Sequence, residues 1–367
     1  MSTDPLPLAQ ALLRCRSVTP ADGGAQDVLA GALEAIGFAT WRLPFGTTPN
    51  LFARRGVAGA HLCFAGHTDV VPEGAGWRAD PFGGEVLDGM LIGRGACDMK
   101  GAIAAFVAAA ADVAGPPSVS LLITGDEEGP ATDGTVRVLE WMQAEGHIPD
   151  ICVVGEPTNP ARLGEVIKIG RRGSLNARIV VEGVQGHVAY PHQVDNPVHR
   201  LVRALAALTA APLDAGTAWF EPSSLQVTSF DVGNAATNVV PGSASARLNI
   251  RFNDRHSGAS LEAWLRATLA QHAARFTLEV SVSGESFLTQ PGDAVARLQA
   301  AIGAACGTEP RLDTGGGTSD ARFISRYCPV AEFGLVGATM HQVDERVPVT
   351  ELRGLADAYR AVLTAFS

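Results

Sequence analysis

The sequence predicts an α/β protein with a mostly parallel sheet flanked by helices, interrupted by a smaller inserted α+β module. Two observations predict this architecture. Short apolar runs that suit buried strands alternate with helical segments in the first half, as in layered α/β proteins. The rhythm then changes from about residue 174, and the alternation resumes at residue 293. With 46% hydrophobic and 18% charged residues, the composition is typical of folded globular proteins.

The first half supplies the elements of the larger domain. Apolar runs of four to seven residues followed by glycine or an acid predict buried strands. Longer segments with helical apolar spacing, one of them ending in glycine, predict helices. The predicted strands are HLCFAG at 61–66, VSLLITG at 119–125 and ICVVGE at 151–156. The predicted helices cover 27–37, 99–115 and 134–146.

The inserted module has the order β-α-β-β-α-β, which predicts a split βαβ, ferredoxin-like fold. One of its strands, SARLNIRFN, alternates with period two, as a strand with one solvated face does. We therefore divide the chain into one domain of residues 1–173 and 285–367, and a second of residues 174–284. The predicted elements of the module are strands at 174–182, 224–231, 244–252 and 278–284, and helices at 196–210 and 260–276. A helix at 293–307 resumes the first domain.

The charge and the apolar pattern exclude several classes of partner. With 28 Lys and Arg against 38 Asp and Glu, the net charge is −10, which argues against nucleic acid or anionic membranes as partners. No apolar run reaches the roughly 18 residues that a membrane span needs. The first residues lack a basic segment followed by an apolar one, so no signal peptide is expected. The six cysteines are scattered without a CxxC pair, which is typical of reduced cysteines in a cytoplasmic protein.

Acidic and imidazole side chains fall at the ends of successive predicted strands. In open α/β sheets, ligands bind in the crevice outside the carboxyl ends of the strands. Several such side chains, delivered there by different strands, predict a metal site. The residues are His67 and Asp69 in GHTDVV, Asp98 in GRGACDMKG, the three acids 126–128 in TGDEEG, Glu156 in GEPT and His341 in MHQVDE.

Each of these residues has a plainer interpretation when taken alone. A histidine after a strand, such as His67, is more often a hydrogen-bonded structural residue. The acids 126–128 suit a solvated turn or a helix N-terminus, and Asp98 suits a helix cap. Their joint occurrence at successive strand ends favours the metal site. Cys97, beside an apolar helix, is interpreted as a packing residue.

The number of acids indicates more than one cation. Four carboxylates in one crevice would repel one another, and some would be driven neutral without a counter-charge. Two Zn²⁺ ions accept mixed imidazole and carboxylate ligands and would balance the charge. A pair of metal ions also polarises a carbonyl, and a carboxylate that is not a ligand can then move the proton.

In this order, GHTDVVPEG, GRGACDMKGA, TGDEEG, GEPT and MHQVDE resemble the dinuclear-zinc aminoacylase and carboxypeptidase-type metallohydrolase family. The resemblance covers nearly the whole chain and implies a zinc-peptidase-like fold with an inserted lid and dimerisation domain. Within the family, GRRGSLN, GHVAYPH, SFLT and GGGTSDARF resemble members that hydrolyse N-succinyl-LL-2,6-diaminopimelate. Two residues depart from the usual pattern, since Asp344 stands where Asn is common and Ala321 where Gly is usual.

The resemblance implies a role for each metal ligand. His67 and Glu156 would hold one zinc ion, Glu128 and His341 would hold the other, and Asp98 would bridge both. The peptide bond after Asp98 is expected to be cis. The cofactors would be two Zn²⁺ ions, with Co²⁺ as an alternative in one site.

The resemblance also implies which carboxylates act without binding metal. Asp69 would accept a hydrogen bond from His67 and fix its tautomer. Glu127 would be the general base and then the acid for the leaving amine. Asp126 receives no role from the sequence.

The inserted domain would carry the remaining site residues. His187 resembles the residue that reaches across a homodimer to stabilise the oxyanion of the reaction. Arginine binds carboxylates with its two-pronged fork, and glycines let backbone amides approach a substrate. The expected substrate contacts are Arg171 or Arg172, Asn238, Arg251, Gly317 and Thr318, with Ser319 as a further donor.

The sequence leaves rival functions open. Another amidase of the same family, such as an acetylornithine deacetylase or a dipeptidase, would keep the same ligands. A non-catalytic scaffold is disfavoured because every expected ligand position is occupied. A nucleotide-binding protein is disfavoured because no GxGxxG or GxxxxGK[ST] follows a predicted strand. The expected partner is a small-molecule substrate.

Overall fold

The computed structural model describes residues 3–113 and 118–367. The chain divides into two compact units. Unit 1 runs to Ile169 and includes Thr289–Asp313 and Ser319–Ser367. Unit 2 comprises Gly170–Leu288 and Thr314–Thr318. The interpretation of these units as a catalytic domain and a lid or dimerisation domain stays a prediction.

The described residues form nine α-helices, numbered in chain order. They are α1 (Leu6–Leu13), α2 (Ala25–Glu34), α3 (Lys100–Asp112), α4 (Thr135–Ala144), α5 (Pro197–Leu208), α6 (Gly258–His272), α7 (Asp293–Cys306), α8 (Ala321–Ile324) and α9 (Val349–Ala365). None of these helices is long and apolar enough to cross a membrane.

The described residues also form short and long strands, again numbered in chain order. The first ten are β1 (Ala39–Arg42), β2 (Leu51–Arg55), β3 (His61–His67), β4 (Glu85–Leu87), β5 (Met90–Ile92), β6 (Ser118–Thr124), β7 (Ile151–Val154), β8 (Val166–Lys168), β9 (Gly170–Arg171) and β10 (Gly173–Glu182). The others are β11 (Gly186–His187), β12 (Ser224–Asp231), β13 (Val239–Val240), β14 (Ser243–Phe252), β15 (Phe276–Gly284), β16 (Phe287–Leu288), β17 (Arg311–Asp313), β18 (Val330–Glu332) and β19 (Arg346–Pro348).

The main sheet of unit 1 has eight strands in the order β1-β2-β6-β3-β7-β18-β8-β17. Its centre is parallel, because β3 pairs in parallel with both β6 and β7, and β7 pairs in parallel with β18. Every residue of β3, β6 and β7 is buried, which explains their continuous apolar runs. The predicted mostly parallel α/β architecture is confirmed.

Helix α3 follows the predicted segment but is shorter at both ends. Met99 has φ −134° and ψ 26°, outside the helical region, so the helix begins at Lys100 rather than at residue 99. It ends at Asp112 because Val113 is extended. Residues 114 and 115, the last of the predicted helix, lie outside the described residues.

Unit 2 contains a four-stranded antiparallel sheet in the order β12-β14-β10-β15. With α5 and α6, this gives the predicted β-α-β-β-α-β order. Along β14 buried residues alternate with more exposed ones, as the period-two pattern of SARLNIRFN predicts. Leucines of both helices pack on the buried face, among them Leu201, Leu205, Leu261, Leu265 and Leu269.

The second helix of unit 2 differs from its predicted range of 260–276. It begins at Gly258 because Ser257 caps it, with the side chains and amides of Ser257 and Ser260 bonded reciprocally. It ends at His272, and Ala273 is extended. Phe276, which suits the helical spacing, instead begins β15 and pairs with Val181 of β10.

Candidate metal centre

The parallel strands deliver the predicted ligands to one edge of the sheet. Strand β3 lies between β6 and β7 and runs parallel to both, so their carboxyl ends meet. His67 is the last residue of β3, and residues 126–128 directly follow β6 and Gly125. Glu156 comes two residues after the end of β7. Asp98 does not follow a strand of this sheet; it lies just before α3, where the helix N-terminus favours negative charge.

Asp98 lies between two histidines, and each of its oxygens faces one of them. Oδ1 is 3.1 Å from Nε2 of His67, and Oδ2 is 3.2 Å from Nε2 of His341. Each histidine has a glutamate of its own. Nε2 of His67 lies 3.8 Å from Glu156 Oε1, and Nε2 of His341 lies 2.8 Å from Glu128 Oε1. The five side chains thus form two half-sites that share one carboxylate.

The site concentrates buried negative charge. Burial, followed by the charges of Asp98 and Glu127, raises the pKa of Glu156 well above its usual range. Hydrogen bonds that His341 donates to the carboxylates of Asp98 and Glu128 raise the pKa of its imidazole to about 10. The acids also raise the pKa of His67, although burial opposes it. His67 and His341 thus hold protons where metal ions would bind, and metal binding displaces such protons.

The donor set fits divalent metal ions. Imidazole nitrogens and carboxylate oxygens together suit Zn²⁺ and its first-row neighbours. Ligand atoms of His67, Asp98 and Glu128 lie within 4.8 Å of one another, as do those of His67, Glu127 and Glu156. Glu127 is therefore within reach of a metal ion as well.

Asp69 accepts a hydrogen bond from His67 as predicted, but through its backbone oxygen rather than its carboxylate. Nδ1 of His67 lies 2.9 Å from the backbone oxygen of Asp69, which can only accept, and 3.7 Å from its carboxylate. The carboxylate instead accepts the backbone amides of Glu127 at 3.3 Å and Glu128 at 3.0 Å. Asp69 therefore fixes the loop that carries both glutamates, because buried amides need an acceptor.

The loop after β6 also explains Asp126, to which the sequence assigns no role. Its Oδ2 accepts the backbone amides of Thr132 at 2.9 Å and Asp133 at 3.2 Å. Its own amide donates to Thr124 Oγ1 at 3.2 Å. Asp126 is buried and closes the turn from β6 towards α4, so its function is structural.

Two further acids act on the site although the sequence does not single them out. Asp320, in GGGTSD, is buried. The burial of Glu127 itself, followed by the charge of Asp320, raises the pKa of Glu127 to about 8. Glu345, in MHQVDE, is fully buried and forms an ion pair of 2.7 Å with Arg94. Both acids lie in sequence motifs from which other residues are assigned to the site. Their place in those motifs is the sequence signal that could have identified them.

The neighbouring Ser319 does not match its predicted role. It is 1% exposed, and its Oγ donates to Glu332 Oε1 at 2.5 Å. A hydroxyl engaged in this way has no proton left for a substrate carboxylate. The departure at Asp344 is compatible with the backbone, because Asp344 has φ 58° and both Asp and Asn tolerate this left-handed region better than most residues.

The other predicted site residues lie in unit 2. Strands β11 and β13 pair His187 with Val239, and the amide of Val188 donates to the carbonyl of Asn238 at 3.1 Å. This places His187 and Asn238 side by side, and both are exposed. Nδ1 of His187 accepts the amide of Ala189 at 3.1 Å, so a neutral ring carries its proton on Nε2.

The predicted arginines of unit 2 have unequal surroundings. Arg171 is buried, and its Nη1 donates to the carbonyl of Gly317 at 3.0 Å. Arg172 is half-buried and lies 3.4 Å from Glu221. Arg251, also half-buried, lies on β14 between Ser174 of β10 and Ser224 of β12. Thr318 is half-buried beside Gly317.

Curated relatives match the chain over almost its full length. A protein of Gluconacetobacter diazotrophicus named succinyl-diaminopimelate desuccinylase is 65% identical over 99% of this chain and 97% of its own length. One of Gluconobacter oxydans with the same name is 62% identical over 99% and 98%.

Solved structures share the fold at low sequence identity. The aminopeptidase PepT of Bacillus cereus matches with a TM-score of 0.81 and 18% identity over 99% of this chain and 98% of its own. A dinuclear metal binding peptidase of the M20 family from Bacillus subtilis matches with a TM-score of 0.74 and 16% identity, over 98% and 96%. The model of peptidase family M20/M25/M40 matches residues 63–365, and the chain belongs to this family.

Proposed function

We propose that this chain hydrolyses the succinyl amide of N-succinyl-LL-2,6-diaminopimelate, releasing succinate and LL-2,6-diaminopimelate. This step belongs to lysine and diaminopimelate biosynthesis. The observation that carries the proposal is Asp98, whose two oxygens face two histidines that each have a glutamate partner. The names of relatives that are 62% and 65% identical support the substrate.

Two zinc ions, with Co²⁺ as an alternative in one site, are the proposed cofactors. His67 and Glu156 would hold one ion, Glu128 and His341 the other, and Asp98 both. When bound, such a pair supplies a polarised carbonyl and a water molecule of lowered pKa. The three ligand carboxylates match most of the charge of the two cations, so Glu127 would be left as a free base.

Glu127 is the proposed proton carrier. Its backbone is fixed by the Asp69 carboxylate, and its neighbour Glu128 is a proposed ligand, so its carboxylate is held beside the reacting atoms. It would take a proton from the attacking water and give it to the leaving amine. A general base is most effective when its pKa is near the working pH, and burial raises the pKa of Glu127 to about 8.

Unit 2 would bind the two ends of the substrate. Arg171 or Arg172, Arg251 and Asn238 are the proposed contacts for substrate carboxylates, together with Gly317 and Thr318. His187 is the proposed donor to the oxyanion. Its exposure supports this role, as does the acceptor contact of Nδ1, which leaves the proton of a neutral ring on Nε2.

We also propose that the chain forms a homodimer through unit 2. Strand β12 is at an edge of its sheet, and an unpaired edge is a ready site for pairing with another chain. Val227 and Phe230 on this strand are 38% and 39% exposed, and exposed apolar side chains at such an edge favour an interface.

A substrate panel tests the proposed function. The protein is chelated, titrated with zinc, and assayed on N-succinyl-LL-2,6-diaminopimelate beside N-acetylornithine and dipeptides. We expect kcat/KM to be highest for the succinyl substrate and to vanish on chelation. A higher value for N-acetylornithine or a dipeptide would assign the chain to another amidase of the family.

A further inference from the structure

Glu345 binds the loop that carries the bridging carboxylate. It follows His341 by four residues and is 0% exposed. Its Oε2 accepts the backbone amide of Gly95 at 3.1 Å, and its Oε1 accepts the amides of Cys97 at 3.0 Å and Asp98 at 3.2 Å. One side chain from the His341 segment thus fixes the backbone on which Asp98 stands.

Arg94 completes the arrangement and connects further segments. It is 2% exposed, and its Nη1 lies 2.7 Å from Glu345 Oε2. Its Nη2 lies 3.2 Å from the carbonyl of Glu73, 3.4 Å from that of Pro72 and 3.5 Å from that of His341. The guanidinium neutralises the buried carboxylate and holds the backbone of a proposed metal ligand at the same time.

We propose that Glu345 and Arg94 are positioning residues that set the spacing between Asp98 and His341, and thereby the metal half-site that these two residues form with Glu128. This inference rests on the proposed dinuclear function. The half-site of His67 and Glu156 depends on the pair only through the shared Asp98. Loss of the pair should therefore lower the affinity for the metal ion of the His341 half-site much more than the affinity for the other ion.

A buried ion pair that only stabilises the fold would behave differently. Breaking such a pair leaves an uncompensated charge and destabilises the whole unit, without a preference between two metal ions. The distinguishing property is the difference in affinity between the two half-sites. This difference can be measured without any assay of activity.

The test is calorimetric titration of the metal-free full-length protein with Zn²⁺, in a buffer with a competing chelator. Glu345→Gln has one acceptor oxygen and presents an NH₂ group to backbone amides, so it cannot repeat the contacts of the carboxylate. We expect wild type to bind two ions tightly. Glu345→Gln should bind one ion with unchanged affinity and the other roughly ten- to a hundredfold more weakly.

A double-mutant comparison identifies the weakened half-site. Glu128→Ala removes a proposed ligand from the His341 half-site, leaving mainly the ion of His67 and Glu156. Adding Glu345→Gln to this variant should change the affinity for the remaining ion little. An equal weakening of that ion would overturn the inference, because the effect would not be confined to one half-site.

Asp214→Asn is a matched control in unit 2. Its side chain is 6% exposed and accepts the backbone amides of Gly216 at 2.6 Å and Ser223 at 3.2 Å, much as Glu345 accepts amides. It should bind both ions as wild type does, whatever its effect on stability. If Asp214→Asn showed the same selective weakening, the role of Glu345 would not be specific.

Arg94→Lys tests the inference if Glu345→Gln does not fold. Lysine keeps the positive charge but lacks the fork that reaches several carbonyls at once. It should weaken the same ion selectively. If folded Glu345→Gln bound both Zn²⁺ ions with wild-type affinity, the inference would be overturned. If Glu345→Gln did not fold, wild-type affinities in Arg94→Lys would overturn it. If wild type bound two ions but hydrolysed no succinyl amide, the proposed function would fail while this inference stood.

Discussion

Glu127 and Glu128 are neighbours in the chain, yet their carboxylates have different surroundings. Glu128 Oε1 lies 2.8 Å from Nε2 of His341, in the position of a metal ligand. Glu127 lies near the buried Asp320, and its pKa is raised to about 8 by burial and by that charge. The carboxylate of Asp69 holds both backbone amides. One turn can therefore supply a ligand and a base.

Glu127→Ala should separate these two roles. We expect the variant to retain two metal ions per chain and to lose roughly a hundred- to ten-thousandfold in kcat, the usual worth of a general base. Metal analysis after desalting and steady-state kinetics measure the two quantities. Glu140→Ala, an exposed glutamate on α4, is the control and should keep wild-type turnover. A Glu127→Ala enzyme within a few-fold of wild type would contradict the assignment.

At the scale of elements, strand β3 has a histidine at each end, and the two have opposite electrostatics. His67, at the carboxyl end, has a raised pKa: burial opposes its protonation, but the hydrogen bond to Asp98 and the charges of Asp98, Glu156 and Asp69 together outweigh it. His61, at the other end, is buried against Ser120, with 2.8 Å between Nε2 and Oγ. Burial, followed by the charge of Arg54, lowers the pKa of His61 to about 4.

His61 should make the stability of the protein depend on pH. Because its pKa is depressed from 6.5 to about 4, the unfolded chain takes up a proton across this range before the folded chain does. Stability should fall as the pH drops from 6.5 towards 4, with about 2 kcal/mol from this residue once screening is allowed for. Urea unfolding of metal-free protein at several pH values measures it.

His61→Gln keeps a polar group beside Ser120 without titrating, so it should flatten that part of the pH profile. The matched control is the exposed His199→Gln, which should keep the wild-type profile. If the profiles of His61→Gln and wild type coincided between pH 4 and 6.5, His61 would not be the group responsible.

The edge strand β12 supports a prediction about assembly. Lysine at Val227 and Phe230 would place two charges on the proposed interface, and desolvating them would oppose pairing. We expect wild type to sediment as the proposed dimer and the double variant to sediment as a monomer at the same concentration. Val57→Lys, at a site in unit 1 that is 89% exposed, should leave the dimer intact. Persistence of the dimer in the double variant would exclude β12 from the interface.

At the scale of the whole molecule, metal binding should couple to stability. An ion at about 100 times its dissociation constant adds about 2.7 kcal/mol to the folded state. Chelation should therefore lower the thermal unfolding temperature, and added zinc should restore it. Scanning calorimetry measures the shift. Asp98→Asn weakens the carboxylate shared by both half-sites and should lose most of the response. An Asp98→Asn protein that responded like wild type would contradict the bridging role.

The sequence predicts the central strands well because their signals are local. Buried parallel strands require continuous apolar runs, and β3, β6 and β7 have them. The end of α6 was predicted wrongly because Phe276 fits the helical spacing, whereas its pairing with Val181 lies far away in the chain. The cis peptide bond between Asp98 and Met99, which the family resemblance implies, is confirmed.

By itself, the sequence determined the alternation of strands and helices, the side chains capable of binding metal, and their places at strand ends. The tertiary structure decided which partner each polar group takes. The Asp69 carboxylate binds two amides while its backbone oxygen faces His67, Asp126 closes a turn, and Glu345 pairs with Arg94, 251 residues away in the chain. The physical reason is that the apolar pattern of a strand depends on adjacent residues. The hydrogen-bond donors of a buried carboxylate, in contrast, are those that the fold brings to it from distant parts of the chain.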